Sequence, residues 1–260
     1  NPLQQRTDGA GWIADLVMIY DQARISDPPR SVGALLEWIR RHPGRFAYPA
    51  PPDFTGSVFV RHVFYHLSAD INRWQGDFSR SELETTATRT YQVLRDLAPH
   101  LWRRGSTYPE SPVRMNTLFA DGEIDFAFSY HQAEASRQIL DGLFPETVRT
   151  YVFDEGTIAN THFVAIPFNA ADTAGAMVVA NFLLSPEAQL KKADPDVWGD
   201  FPAIDPSRLP AEWQKRFQER PRGPATLTDA ELQSRQLPEP PSPVLIQLEK
   251  GWQQHVLKGR

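Results

Sequence analysis

The chain has 260 residues, enough for one large domain or two lobes around a substantial core. Its 41% hydrophobic and 11% aromatic content suits a folded globular protein and excludes an extended disordered chain. A formal net charge of -5 leaves no basic footprint for nucleic acid, and the absence of cysteine excludes a thiol nucleophile, a disulfide framework and a cysteine-based zinc site.

The first residues, NPLQQRTDGAGW, contain no initiator Met, no basic n-region and no apolar h-region. A signal peptide is therefore expected to be absent from this chain, which reads equally as a mature form or a piece of a longer protein. No run approaches the roughly 18 apolar residues that span a bilayer.

Residues 12–20, WIADLVMIY, predict a strand, ended by Asp27-Pro28-Pro29. Val32, Leu35, Leu36 and Ile39 then fall on one helical face behind Ser31, a cap residue. A short strand is expected at 45–48, and a rigid loop, PAPPDFTG, feeds a deeply apolar helix over about 57–67. Leu83, Ala87, Tyr91, Leu94 and Ala98 mark a further helix.

The stretch 111–130, SPVRMNTLFADGEIDFAFSY, carries the strongest local signal. Ser111 and Pro112 start a helix, Asp121-Gly122 turns the chain, and Ile124 to Phe128 read as a strand covered on both faces. The strand stops at Ser129-Tyr130, and in open α/β sheets ligands sit beyond such carboxyl ends. A helix near 133–143 and strands at 148–153 and 161–166 follow. Helices capped by Asn169 and by Ser185 come next, then a capping box Thr228-x-x-Glu231. After the stiff spacer LPEPPSP, a last helix carries Val244, Leu248, Trp252 and Val256 on one face. The alternation of strand and helix predicts an α/β fold with a largely parallel sheet.

Signatures of the common enzyme classes, G-x-S-x-G, the P-loop, G-x-G-x-x-G and H-E-x-x-H, are absent. His62 and His66 have metal-ligand spacing, but their apolar surroundings favour packed core histidines. Asp121, Glu123 and Asp125 read as turn charges in preference to an acid/base pair, and Arg103-Arg104 as a solvated helix end. Thr55-Gly56-Ser57 offers hydroxyls and backbone amides at a helix start, suited to an anion or to ordinary capping. Tyr130 and Trp198 read either as core aromatics or as stacking walls for a flat or cationic ligand.

Four stretches (14–36, 45–57, 116–130 and 155–198), most distinctively FLLSPEAQ followed by Trp198-Gly199, resemble the periplasmic solute-binding proteins of ABC importers, extracellular family 1. The likeness is to its thiamine-binding and YnjB-type branches. It implies a type II periplasmic-binding fold, two α/β lobes joined by crossing strands, with the first lobe incomplete in this chain. The second lobe would span 21–154, the rest of the first lobe 1–20 and 155–198, and a C-terminal helical segment 199–260. By matching position, Tyr130, Trp198, Thr55, Gly56, Ser57, Gly156, Thr157, Asn160 and Tyr20 would contact ligand.

The resemblance implies no enzyme activity, metal or cofactor. It implies a periplasmic monomer that carries a small ligand, thiamine-like, phosphorylated or cationic, to a membrane permease, without nucleic-acid partners. The rival readings are a hydrolase-like α/β enzyme using the same cleft and a protein-interaction module presenting Trp213, Phe217 and Trp252.

Overall fold

The computed structural model describes residues 10–259, so the share of the first lobe assigned to residues 1–9 lies outside the described residues. In chain order the elements are β1 (Ala10–Asp15), β2 (Val17–Asp21), α1 (Val32–Arg41), α2 (Phe54–His66), α3 (Arg80–Leu97), α4 (Pro112–Ala120) and β3 (Phe126–Ser129). They continue with α5 (Glu134–Leu140), β4 (Val148–Tyr151), β5 (Thr157–Phe163), α6 (Thr173–Leu183) and α7 (Pro186–Lys192). The last are α8 (Ala211–Gln218), α9 (Asp229–Gln233), β6 (Gln236–Leu237) and α10 (Ser242–Trp252).

The apolar run expected as one strand over 12–20 is two, because the chain changes sheet at Leu16. Leu16 is tied on both sides: its N–H donates to the Ile158 carbonyl at 3.2 Å, and its carbonyl accepts from Thr157 Oγ1 at 2.5 Å. One sheet has the order β3-β2-β4 and the other β1-β5-β6. Pairing is antiparallel except between β5 and β6, which corrects the largely parallel sheet expected from sequence. The crossover through α5 keeps β3 and β4 in the same sense, as a helical crossover does, but β2 inserts between them and runs against both. All five residues of β2 are buried, as a central strand requires.

Local capping follows the sequence closely. Ser31 accepts from Ala34 N at 3.1 Å, Ser111 from Arg114 N at 3.2 Å and Ser185 from Ala188 N at 3.2 Å, and Thr228 with Glu231 closes its capping box. Several boundaries differ, α2 starting at Phe54 in place of 57 and β3 covering Phe126–Ser129 in place of 124–128. Residues 45–48 are extended without a ladder, their carbonyls at Arg45 and Phe46 serving single amides of Asp125 and Trp102. The strand placed at 161–166 begins earlier, at Thr157. The α6 cap is Asp172, whose carboxylate accepts from Gly175 N at 2.8 Å, because a turn from Pro167 to Ala170 consumes the residues around Asn169.

The main core packs α1, α2, α3 and α10 around the β3-β2-β4 sheet. Val244, Leu248, Trp252 and Val256 are all buried, and Trp252 Nε1 donates to Tyr48 Oη at 3.0 Å. Gly251 lies against the Tyr91 ring, where a Cβ would collide, so α10 can approach α3 closely. Phe217 is buried as well. The surface that an interaction module would present at Phe217 and Trp252 is thus turned inward.

Candidate ligand cleft

The site is built on α2. Its first turn is capped by Asp53, whose carboxylate accepts from Thr55 N at 2.9 Å and Gly56 N at 3.0 Å. Of the amides expected to favour an anion, those of Thr55 and Gly56 are therefore already bonded to a carboxylate, which would repel a second negative group, and Ser57 N donates to the Asp53 carbonyl at 2.8 Å. Gly56 packs on the Pro49 carbonyl with no room for a Cβ, and Ser57 Oγ donates to Glu249 Oε1 at 2.7 Å. Thr55 and Ser57 are both buried.

One turn further on, Arg61 is only 1% exposed. Its Nη1 donates to Glu239 Oε2, its Nε donates to the Ser57 carbonyl at 3.3 Å, and its guanidinium lies 5.3 Å from the Phe54 ring centroid. Glu239 belongs to the proline-rich strap between β6 and α10, which is fixed by Tyr65 Oη donating to the Pro238 carbonyl at 2.9 Å and Gln75 Nε2 donating to the Glu239 carbonyl at 3.0 Å.

The second carboxylate oxygen of Glu239 accepts from Tyr130 Oη at 3.0 Å and lies 3.5 Å from Asn160 Nδ2. Tyr130 leaves the carboxyl end of β3 and its ring meets Phe54 at 4.6 Å. Burial holds its phenol well above the ordinary range, with the Glu239 charge adding and the Arg61 charge opposing. Tyr130 therefore acts as a neutral donor.

Trp198 stands in the neighbouring segment, 42% exposed, with the Lys192 ammonium 4.9 Å from its ring centroid. Gly199, at φ +80°, packs on Ala133 where a Cβ would clash, and so brings Trp198 beside the residues that follow Tyr130. Burial lowers the Lys192 ammonium. It pushes the Asp200 carboxyl up to about 6, against the charges of His131 and Lys192. Asp15 is also pushed up to about 6 by burial, although Gln132 Nε2 at 2.5 Å and Gln236 Nε2 at 2.8 Å both donate to it. It thereby ties the end of β1 to the segment after β3 and to β6.

Of the residues nominated from sequence, Tyr130 and Asn160 meet at Glu239, whereas Trp198 is joined to the segment after Tyr130 only through its neighbour Gly199, which packs on Ala133. Tyr20 lies in the core, edge-on to Tyr151 at 5.6 Å. Thr157 is spent on the Leu16 carbonyl, and Gly156, at φ +111°, gives way to the side chain of Leu237.

His62 is a core residue: Nδ1 bonds the Val58 carbonyl at 2.9 Å, Nε2 accepts from Ile158 N at 3.2 Å, and burial lowers its pKa to about 4. His66 instead faces Glu155 at 3.7 Å, and among the described residues no group of three metal-ligating side chains forms. Glu123 accepts from Trp102 Nε1 at 2.7 Å and Asp125 from Arg45 Nε at 2.8 Å, so both acids hold structure. Arg103 and Arg104 adopt positive φ, 52° and 57°, in a turn rather than a helix end.

Sequence reasoning missed Arg61, Glu239 and Phe54. The signals were present: an arginine beside His62 in the largely apolar FVRHVF of α2, and a single acid among the prolines of the spacer.

The two sheets are joined where the chain passes from β1 to β2 and from β4 to β5, and polar and aromatic side chains gather at the end of β3. The model of the bacterial extracellular solute-binding protein family matches residues 3–219, and the chain belongs to that family. The family is one of solute-binding proteins, not enzymes. Protein YnjB of Escherichia coli (strain K12) is 37% identical over 239 residues, which cover 92% of this chain and 58% of YnjB.

A periplasmic thiamin binding protein has the same fold, with TM-score 0.62 and 19% identity over 95% of this chain and 65% of its own. An ABC transporter protein of Clostridium perfringens gives TM-score 0.65 and 16% identity over 95% and 69%. The chain thus spans under two thirds of YnjB and of the thiamin binding protein. No helix among the described residues is long and apolar enough to cross a membrane.

Proposed function

We propose that the protein is the solute-binding component of an ABC importer, a periplasmic monomer that holds a small ligand between two lobes and hands it to a membrane permease. The observation that carries this reading is the convergence of Tyr130, from the end of β3, and Asn160, from β5 in the other sheet, on one carboxylate. A ligand touching these groups touches both sheets, so contacts made only when the lobes approach would favour closure by a hinge motion. The hinge is assigned to Leu16 and to Gly156-Thr157; because β2 pairs with β3 and β4, the second lobe is taken to start at β2 in place of residue 21 and to run to about residue 154, with α10 packed on its α2 and α3 and α8 lying against α7.

The ligand class that suits the site is a flat cation, thiamine-like in chemistry. Asp53 disfavours an added anion at the start of α2, and Tyr130 and Trp198 supply ring faces, each giving about 0.5–2 kcal/mol to a cation. A thermal-shift screen with thiamine, thiamine phosphate, spermidine, a neutral sugar and inorganic phosphate tests this. A cationic solute should raise the melting temperature by several degrees at concentrations well above Kd, roughly 3 kcal/mol of linkage at a hundredfold excess. A shift by inorganic phosphate alone would overturn the ligand class, and hydrolysis of a simple ester without any shift would favour the hydrolase reading.

A further inference from the structure

The chain folds back on itself between the end of α7 and Asp200. The amides of Gly199 and Asp200 both donate to the Lys192 carbonyl, at 2.8 and 3.2 Å, and Trp198 N donates to the Asp194 carbonyl at 2.9 Å. This turn sets an ammonium, an indole and a carboxylate side by side. The ammonium takes the ring: Lys192 Nζ stands 4.9 Å from the centroid of Trp198, a ring exposed enough to meet a solute. Its neighbour Lys191 instead reaches Asp194 at 3.8 Å, an ordinary surface pair.

Asp200 supplies a second, independent observation. It is 6% exposed, its Oδ2 has no hydrogen-bond partner among the described residues, and its Oδ1 lies 3.9 Å from His131 Nε2. Buried polar atoms are nearly always paired, so an orphaned carboxylate oxygen near an ammonium points to a contact made in another state of the molecule. Burial works against both charges as they stand, lowering the Lys192 ammonium and pushing the Asp200 carboxyl up to about 6. Passage of the ammonium from the ring to Oδ2 relieves both.

We propose that Lys192 is a built-in occupant of the Trp198 face, displaced onto Asp200 when a cationic solute takes the ring. Lys192 and Asp200 are then specificity-determining residues of the cleft, and the inference rests on the reading of the protein as a binder of a flat cation. A solute carrying its own positive charge replaces the cation that it removes from the ring, and the displaced ammonium gains an ion pair. A neutral ring forfeits the cation contact that it breaks, so the exchange selects for charge.

Nuclear magnetic resonance of the chain with its lysines carrying labelled dimethyl groups, which keep their charge, reads the exchange without any solute. The Lys192 resonance, identified by its loss in Lys192→Met, should be moved upfield by the indole ring current and return to the ordinary lysine position in Trp198→Ala. Asp200→Asn should shift it in the Trp198→Ala background, where the ammonium has passed to the carboxylate, and leave it in place when the ring is present. An ordinary position in the wild type, or a Trp198→Ala resonance that ignores Asp200→Asn, overturns the proposal.

Calorimetric titration with thiamine then reads the coupling to solute. Lys192→Met removes the competitor and should tighten Kd about fivefold, whereas Asp200→Asn should weaken it about fivefold. The double variant should bind within about twofold of Lys192→Met, because Asp200 acts through Lys192. Unchanged or weaker binding by Lys192→Met overturns the proposal. So does an Asp200→Asn loss that persists without Lys192, which would make Asp200 a direct contact of the solute. If neither the wild type nor Lys192→Met binds thiamine while the resonance behaves as expected, the solute class falls and the internal exchange stands.

Discussion

Replacing Glu239 by alanine is expected to lower the stability of the protein by about 3 kcal/mol, read as a fall in the urea midpoint. The cause is the partner left behind. Arg61 is 1% exposed and carries its charge between α2 and the strap, with Glu239 the carboxylate it meets. Removing one member of a buried pair leaves an uncompensated charge, which costs far more than the net worth of the pair itself. The figure belongs at the lower end of the usual range because Glu239 retains 26% side-chain exposure and water can partly replace it.

Arg61→Met combined with Glu239→Gln should therefore recover most of the loss, and the double-mutant cycle should give a coupling of about 2 kcal/mol. If Glu239→Ala unfolds within about 0.5 kcal/mol of wild type, the strap is not held by this pair.

Substituting Asp15 by asparagine should change how stability depends on pH, again by about 3 kcal/mol. The folded-state pKa of Asp15, about 6, lies above its ordinary value of 3.8, so between these values the folded state holds the proton more tightly. The associated stability is complete below about pH 4 and is lost as pH rises through about 6. A gap of roughly two pKa units is worth about 3 kcal/mol. Asp200, also raised to about 6, acts in the same direction.

His62 opposes them. Its pKa falls from 6.5 to about 4, so its contribution is present above about pH 6.5 and is lost as pH falls through 4. Wild type, with two carboxylates against one imidazole, should lose stability modestly from pH 4 to 6.5. Asp15→Asn should make the profile nearly flat, with its gain over wild type appearing at pH 7 and vanishing near pH 4. Denaturant titrations at these pH values check it, and parallel profiles for the two proteins would show that Asp15 ionises normally in the fold.

What the sequence disclosed was local. The caps at Ser31, Ser111 and Ser185 depend on neighbours three residues away, and the apolar faces of α1 and α10 on spacings within one helix, so both were legible. The change of sheet at Leu16 was not, because its cause is a pair of hydrogen bonds to residues 157 and 158, some 140 positions away. The site divided the same way. Tyr130 could be placed from the end of its own strand, whereas Glu239 gains its meaning from Arg61, 178 positions distant, and from Asn160 on a strand of the other sheet. Thr55-Gly56-Ser57 looked open to a ligand because its cap, Asp53, stands before the predicted start of the helix.

The claim that Tyr130 and Trp198 wall a solute site is tested most directly by titration calorimetry of the solute giving the largest thermal shift, thiamine first, against wild type, Tyr130→Ala, Trp198→Ala and Trp213→Ala. The account predicts that the first two substitutions each weaken Kd by about tenfold, the equivalent of one lost ring face, and that Trp213→Ala binds as wild type. Unchanged affinity in both Tyr130→Ala and Trp198→Ala would contradict it.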